Sequence, residues 1–324
     1  MNVLLVDIDS TIPNLALMKL SSYWKERANV DIVKCSVNYY PRKKKPIHKI
    51  DASRYDKVFA STIFSNTSQY VQIEGCPYIQ YGGSGIDYLN KLPPEVESCS
   101  YDYSIYPDND TSYGFLTRGC IRNCSFCIVP KKEGALHKYN TLDQIIKHDK
   151  VKFLDNNFLA WDGHKEILRE LVQRKTHCQF NQGLDLRLID DENASLLSQL
   201  HYIGEYIFAF DNKAYEPIIE KQLKIIKKYI PADWRIKFFI YCSPEMSIKD
   251  DVMYRVEKCR EWKVLPYLMR HLSCWGTENE PFYNQYAAWC NQPGLFKSMP
   301  FEEFVHKRTC NEKRITQIQI SMKD

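Results

Sequence analysis

In the stretch Tyr113-Gly-Phe-Leu-Thr-Arg-Gly-Cys120-Ile-Arg-Asn-Cys124-Ser-Phe-Cys127-Ile-Val-Pro130, a strand candidate (Tyr113–Thr117) runs directly into a loop with three cysteines in eight residues. The strand is the first of six. Val151–Asp155, His177–Asn181, Tyr206–Phe210, Arg235–Tyr241 and Val264–Leu268 follow as short, largely apolar runs. Between them apolar residues recur at helical spacing over Leu142–His148, His164–Arg174, Asp190–Leu200, Tyr215–Tyr229 and Ile248–Trp262. Alternating strands and helices form parallel sheets. Six units predict a curved parallel sheet, an incomplete relative of the eight-fold barrel, with chemistry at the C-terminal strand ends. The cysteine loop lies at such an end.

Upstream, Val3–Ile8, Val30–Cys35, Lys57–Phe64 and Cys76–Tyr81 read as strands and Leu15–Arg27 as a helix, a smaller α/β unit over residues 1–91. It ends in the turn-prone Gly82-Gly83-Ser84-Gly85. Residues 92–111, with Pro93, Pro94 and Pro107, read as an extended linker. The second α/β region covers 112–280. Residues 281–324 form a C-terminal helical extension, with helices at Tyr283–Cys290 and from Phe301.

The 324 residues are 44% hydrophobic, 26% charged and 13% aromatic, the balance of a globular chain rather than a disordered one. A net charge of +4 is too small to argue for nucleic acid and leaves nucleic acid and phosphate-bearing substrates open. The basic run Arg42-Lys43-Lys44-Lys45, between Pro41 and Pro46, reads as a solvated loop, with nucleic-acid contact the lesser reading. No apolar run reaches the length needed to cross a bilayer. The start, Met1-Asn-Val-Leu-Leu-Val-Asp7, reads as a strand rather than a signal peptide, so a cytoplasmic location is expected. Twelve cysteines scattered along such a chain are expected to be reduced thiols, and only the set at 120–127 has ligand spacing.

Thiolates favour iron–sulfur clusters or zinc. Three in one loop can hold three irons of a four-iron cluster, leaving the fourth iron for another ligand. Cys120, Cys124, Phe126 and Cys127 match, position by position, the Cys-x-x-x-Cys-x-aromatic-Cys signature of the radical S-adenosylmethionine (SAM) enzymes, which this sequence resembles. Thr117-Arg118-Gly119 and Val129-Pro130 are similar to the cobalamin-binding and methylthiotransferase branches. The resemblance implies a Rossmann-like, cobalamin-binding-like domain followed by a partial (βα)6 radical SAM barrel. It implies a 4Fe-4S cluster on Cys120, Cys124 and Cys127, with SAM on the open iron. One-electron cleavage of SAM would yield a 5′-deoxyadenosyl radical that abstracts hydrogen from a small or nucleotide-like substrate. The electron would come from an external donor such as flavodoxin or ferredoxin. Zinc, with His137 as a fourth ligand, is the structural alternative.

The resemblance also suggests SAM contacts. Phe126 would pack beside the cluster. Asp155, with Asn156 and Asn157, looks like the family's acidic segment that receives the SAM amine; a capping or turn role is the alternative. In Asn181-Gln182-Gly183-Leu184-Asp185-Leu186-Arg187, Arg187 would hold the SAM carboxylate while Gln182 and Asp185 face the substrate; a salt-bridged turn is the alternative. Asp211 ends the fourth strand, where relatives place a polar SAM contact. Tyr241-Cys242-Ser243 and Arg270-His271 would line the substrate pocket.

Cobalamin itself is the doubtful cofactor. The Asp-x-His-x-x-Gly motif is missing: Pro46 stands at the Asp position before His48, and Asp51 at the Gly position. Only the Gly-rich segment at 82–85 resembles a nucleotide-tail contact. A cobalamin-dependent methyltransferase and a non-catalytic iron–sulfur protein are the competing functions, and methylthiotransfer a further one, lacking matching surroundings for Cys35, Cys76 and Cys99.

Overall fold

The computed structural model describes residues 1–37 and 46–309, which leaves the basic run at 42–45 and Cys310 outside the described residues. The chain is mixed α/β with parallel sheets and divides into two units, Met1–Leu154 and Asp155–Asp324. The division falls within the second α/β region, at the end of its second strand.

In unit 1 the strands are β1 (Asn2–Asp7), β2 (Asn29–Lys34), β3 (His48–Asp51), β4 (Lys57–Ser61), β5 (Val71–Glu74), β6 (Ile79–Gly82), β7 (Thr111–Gly114), β8 (Thr117–Arg118), β9 (His137–Lys138) and β10 (Lys150–Phe153). The helices are α1 (Leu15–Lys25), α2 (Pro94–Glu97), α3 (Val129–Glu133) and α4 (Leu142–Ile145). A parallel sheet runs β2-β1-β4-β6, with Leu4 opposite Asp31 and Val58. Val3, Leu4, Leu5 and Val6 are all buried, as expected of a central parallel strand covered on both faces. α1 packs on β1, β2 and β4 through Leu17, Met18 and Leu20. Its N-terminus is capped by Asn14, whose side chain accepts from Leu17 N at 3.2 Å. Leu4, Val6, Tyr55, Val58, Val71 and Ile73 belong to one hydrophobic core cluster. β3 and β5 form a separate parallel pair that the sequence reading missed, and β7 pairs in parallel with β10.

The segment read as a linker carries α2 and is stitched to α1. Lys19 Nζ donates to Glu97 O at 2.6 Å and pairs with its carboxylate at 3.0 Å. Ser21 Oγ donates to Asp102 at 2.7 Å, and Lys25 pairs with the same carboxylate at 2.7 Å. Tyr106 OH donates to the buried Asp7 at 2.8 Å.

Unit 2 contains β11 (His177–Phe180), β12 (His201–Tyr202), β13 (Tyr206–Ala209), β14 (Ile236–Cys242) and β15 (Leu265–Arg270). Its helices are α5 (His164–Arg174), α6 (Asp191–Gln199), α7 (Glu216–Tyr229), α8 (Tyr254–Glu261), α9 (Glu280–Cys290) and α10 (Pro293–Ser298). β11 pairs with β12, and β13-β14-β15 form a parallel sheet. α7 buries Ile219, Leu223 and Ile226, a one-face helical stripe. α8 is preceded by a π-helical turn, Ile248–Met253. α9 packs on β15, and just beyond it the Asn291 side chain accepts from Leu268 N at 2.6 Å and donates to Leu268 O at 3.2 Å. One amide thus covers an edge that would otherwise be open to pairing. Among the described residues, no helix is long and apolar enough to cross a membrane.

Asp102 gives a pH test of the stitched segment. Burial opposes its charge, but bonds from Lys25, Ser104 and Ser21 outweigh it and hold the carboxyl at about 2, below its ordinary 3.8. Such a group stabilises the fold above its unfolded value, and the stabilisation is lost as pH falls through the folded value. Asp102→Asn is expected to lower the unfolding free energy by about 1–2 kcal/mol near neutral pH. The gap to the parent should close as pH drops from 3.8 toward 2. Urea melts across that range test this, and a gap independent of pH would overturn it.

Candidate functional site

The cysteine loop belongs to unit 1. β8 and β9 pair antiparallel, so the chain between them is a closed loop with α3 on its return arm. Glu133, buried at the end of α3, fixes the base of the loop. One carboxylate oxygen pairs with Arg118 at 2.8 Å and the other accepts from Gly119 N at 2.9 Å. Arg118 also lies over the Phe115 ring at 4.0 Å. Gly119 takes φ +83°, and a Cβ there would meet Ala135 O at 2.3 Å, so only glycine fits. The turn sends Cys120, Cys124 and Cys127 onto a half-exposed loop, with Ile121, Phe126 and Ile128 left 53%, 38% and 46% exposed. Arg122 N points at Cys120 Sγ, 3.3 Å away, the type of donor that orients and stabilises a thiolate ligand.

The other thiols behave differently. Burial pushes Cys35 up to about 11 and Cys178 and Cys290 up to about 12, and it raises Cys242, Cys259 and Cys274 as well. These six are packed as thiols, and a group that holds its proton so firmly is a poor ligand. Three sulfurs on one half-exposed loop suit a thiophilic metal or cluster. Among the described residues, no three His, Cys, Asp or Glu side chains are gathered closely enough to hold a metal ion, so the fit rests on the donor set and its exposure. His137, the alternative zinc ligand, sits on β9 with Nδ1 2.9 Å from Ala135 O.

The Gly-rich segment at 82–85 is occupied by the chain itself. A Cβ on Gly83 would meet Thr62 O at 2.3 Å, and one on Gly85 would meet the Phe64 backbone at 2.7 Å. Ser84 accepts from Lys132 Nζ of α3 at 2.7 Å, which ties the segment to the return arm of the cysteine loop.

The remaining candidates belong to unit 2. Asp155 and Asn157 follow β10 directly and are almost fully buried. Gln182 is exposed, just past β11. Gly183 (φ +93°) turns the chain so that Leu184 N bonds to Ile207 O at 2.8 Å. Asp185 and Arg187 form the salt-bridged turn: Nε donates to Oδ1 at 2.7 Å and Nη2 to Oδ2 at 2.9 Å. The same Asp185 oxygen accepts from Arg187 N, and the guanidinium lies 4.6 Å over the Tyr215 ring. Asp211, after β13, accepts from Tyr241 N at 2.9 Å. Burial raises its carboxyl above the ordinary range, against the opposing pull of that N–H, Arg255 and Arg187. The fold therefore gathers Asp185, Arg187 and Asp211 into one charged neighbourhood. Farther along, Arg270 at the end of β15 donates to Asn284 at 2.6 Å and lies 4.4 Å over Trp275.

Two residues that organise these sites were missed in the sequence. Glu133, at the end of α3, was not singled out. Arg255 on α8 has no solvent exposure. It donates to Phe210 O at 2.7 Å and to Tyr241 O at 3.0 Å and pairs with Asp251, so it ties the ends of β13 and β14 together beside Asp211.

No protein-family model matches the chain, and no curated protein matches it.

Arg255→Met is expected to destabilise the protein by about 3–5 kcal/mol, since it strands two buried carbonyls and Asp251. Arg255→Lys should recover little, because an ammonium lacks the fork that reaches both carbonyls. Denaturant unfolding measures both; a methionine variant within about 0.5 kcal/mol of the parent, the range of an ordinary surface change, would contradict this role.

Proposed function

We propose that the chain is a radical SAM enzyme, with a Rossmann-like N-terminal domain and a partial (βα)6 barrel, that acts on a small or nucleotide-like substrate. The observation that carries this reading is the cysteine loop. Its three thiols match the family's signature spacing and stay half-exposed, while six other cysteines are buried and held protonated.

Cys120, Cys124 and Cys127 would hold a 4Fe-4S cluster, which supplies one electron to break a carbon–sulfur bond of bound SAM and so starts hydrogen abstraction from the substrate. The chain's own residues set the conditions. Glu133 fixes the entry to the loop by neutralising Arg118 and accepting the Gly119 N–H. Arg122 N directs its N–H at Cys120 Sγ, the kind of donor that orients a sulfur ligand. Ile121, Phe126 and Ile128 provide apolar cover against water once a cofactor lies over the loop. Asp155 is the carboxylate assigned to the SAM ammonium, a charge-assisted pairing. Arg187 would take the SAM carboxylate only by yielding part of its bidentate hold on Asp185. Asp211, whose carboxyl burial raises above its ordinary value, is the further polar candidate at the end of β13. An external one-electron donor, such as flavodoxin or ferredoxin, is required.

Anaerobic reconstitution should give a brown protein with about four irons per chain. Dithionite and SAM should then release 5′-deoxyadenosine. Cys124→Ala is expected to lose both the colour and the product, while Cys178→Ala keeps both. Asp155→Asn should keep the iron and weaken SAM binding about tenfold or more, the loss of one charge-assisted contact. A colourless chain that binds one zinc would sink the proposal.

A further inference from the structure

Unit 2 has a cavity of about 490 Å³ at the N-terminal ends of its strands. His177 opens β11, His201 opens β12, Tyr206 opens β13, and Arg235 stands immediately before β14. Tyr229 and Pro231, at and beyond the end of α7, form another wall. Asp211 and Tyr241 mark the opposite ends of β13 and β14, about 13–20 Å away by strand rise. The cavity is therefore separate from the strand-end candidates described above, and none of the residues assigned there lines it.

We propose that this cavity binds a small aromatic anion, a flat ring joined to a phosphate or a carboxylate. Arg235 carries the argument. It is half-buried, donates Nη2 to Tyr202 O at 3.0 Å and lies 5.6 Å over the Tyr206 ring. Among the described residues it has no carboxylate in ion-pair reach, whereas Arg187, Arg255 and Arg260 of the same unit each have one. A guanidinium has five donors, so Arg235 keeps spare N–H groups for an anion. His177 and His201 stand in register on the paired strands with their rings 5.4 Å apart. Two adjacent imidazoles and a guanidinium line this one cavity, a set of donors that suits phosphate or carboxylate. The wall made by the end of α7 is different. Its helix ends there, and the carbonyls of a helix C-terminus disfavour an anion. Tyr229, Pro231 and Ile230 on that wall suit the ring. The volume lies within the range of small-ligand sites.

Calorimetric titration of the reconstituted full chain, with SAM present throughout, tests this with four probes: AMP, 4-hydroxybenzoate, inorganic phosphate and adenosine. AMP or 4-hydroxybenzoate should bind, the first identifying a phosphate-bearing ligand and the second a carboxylate. Phosphate and adenosine, each lacking half of the required chemistry, should bind about tenfold or more weakly. Arg235→Gln should weaken the bound probe about tenfold or more. His201→Gln, an exposed change that leaves the Tyr202 carbonyl contact in place, should weaken it in the same direction if Arg235→Gln disturbs the fold. The proposal is overturned if neither aromatic anion binds, if phosphate alone binds as tightly, or if both variants bind like the parent.

Discussion

A guanidinium with no exposure to solvent governs the strand ends of unit 2. Taking Arg255 out of water is costly, and the cost is offset only if its donors are satisfied. Its partners each fix something else: Phe210 O lies just past β13, Tyr241 O near the end of β14, and Asp251 belongs to the π-helical turn before α8. The same strand ends then place Asp211, whose carboxylate takes the N–H of Tyr241. A candidate binding carboxyl thus owes its surroundings in part to a fully buried arginine, and its raised pKa to burial.

The strands were readable because parallel strands covered on both faces are short apolar runs. Lys57, Tyr206 and His177 were placed correctly as first residues of β4, β13 and β11, and His164–Arg174 was read with its observed ends. What escaped depends on tertiary partners. His48–Asp51 alternates in burial as a strand should, yet its charged residues gave no apolar signal, and only pairing with β5 makes it a strand. The segment at 92–111 looked open because of its prolines, but its side chains bond to α1 and to Asp7. Arg255 had a legible trace. It sits between Val252 and Cys259 on the buried stripe of its helix, beside Val256. A basic residue on an apolar stripe is a flag for a buried pair, and the sequence reading did not take it up.

Within the candidate site, the three cysteines could be picked out because ligand spacing is local. The reading of the scattered cysteines at 178, 242, 259, 274 and 290 as packed thiols also agrees with the fold, which buries all five. Glu133 was missed because its value lies in a bond to Gly119 N, fourteen positions earlier, which no short window of the sequence displays. For Arg187 both readings were open in the sequence, and the fold shows the salt-bridged turn.

That turn has a consequence for recognition. A guanidinium already gripping a carboxylate two residues away faces an internal competitor at very high effective concentration. Any incoming anion must displace Asp185 or share the fork with it, so weak or poorly shaped anions are refused without any steric wall. The displaced Asp185 would then stand charged beside Asp211, a penalty that only a ligand carrying its own positive group nearby can relieve. If Arg187 takes a ligand carboxylate as proposed, the turn would act as a filter that admits zwitterions ahead of simple anions.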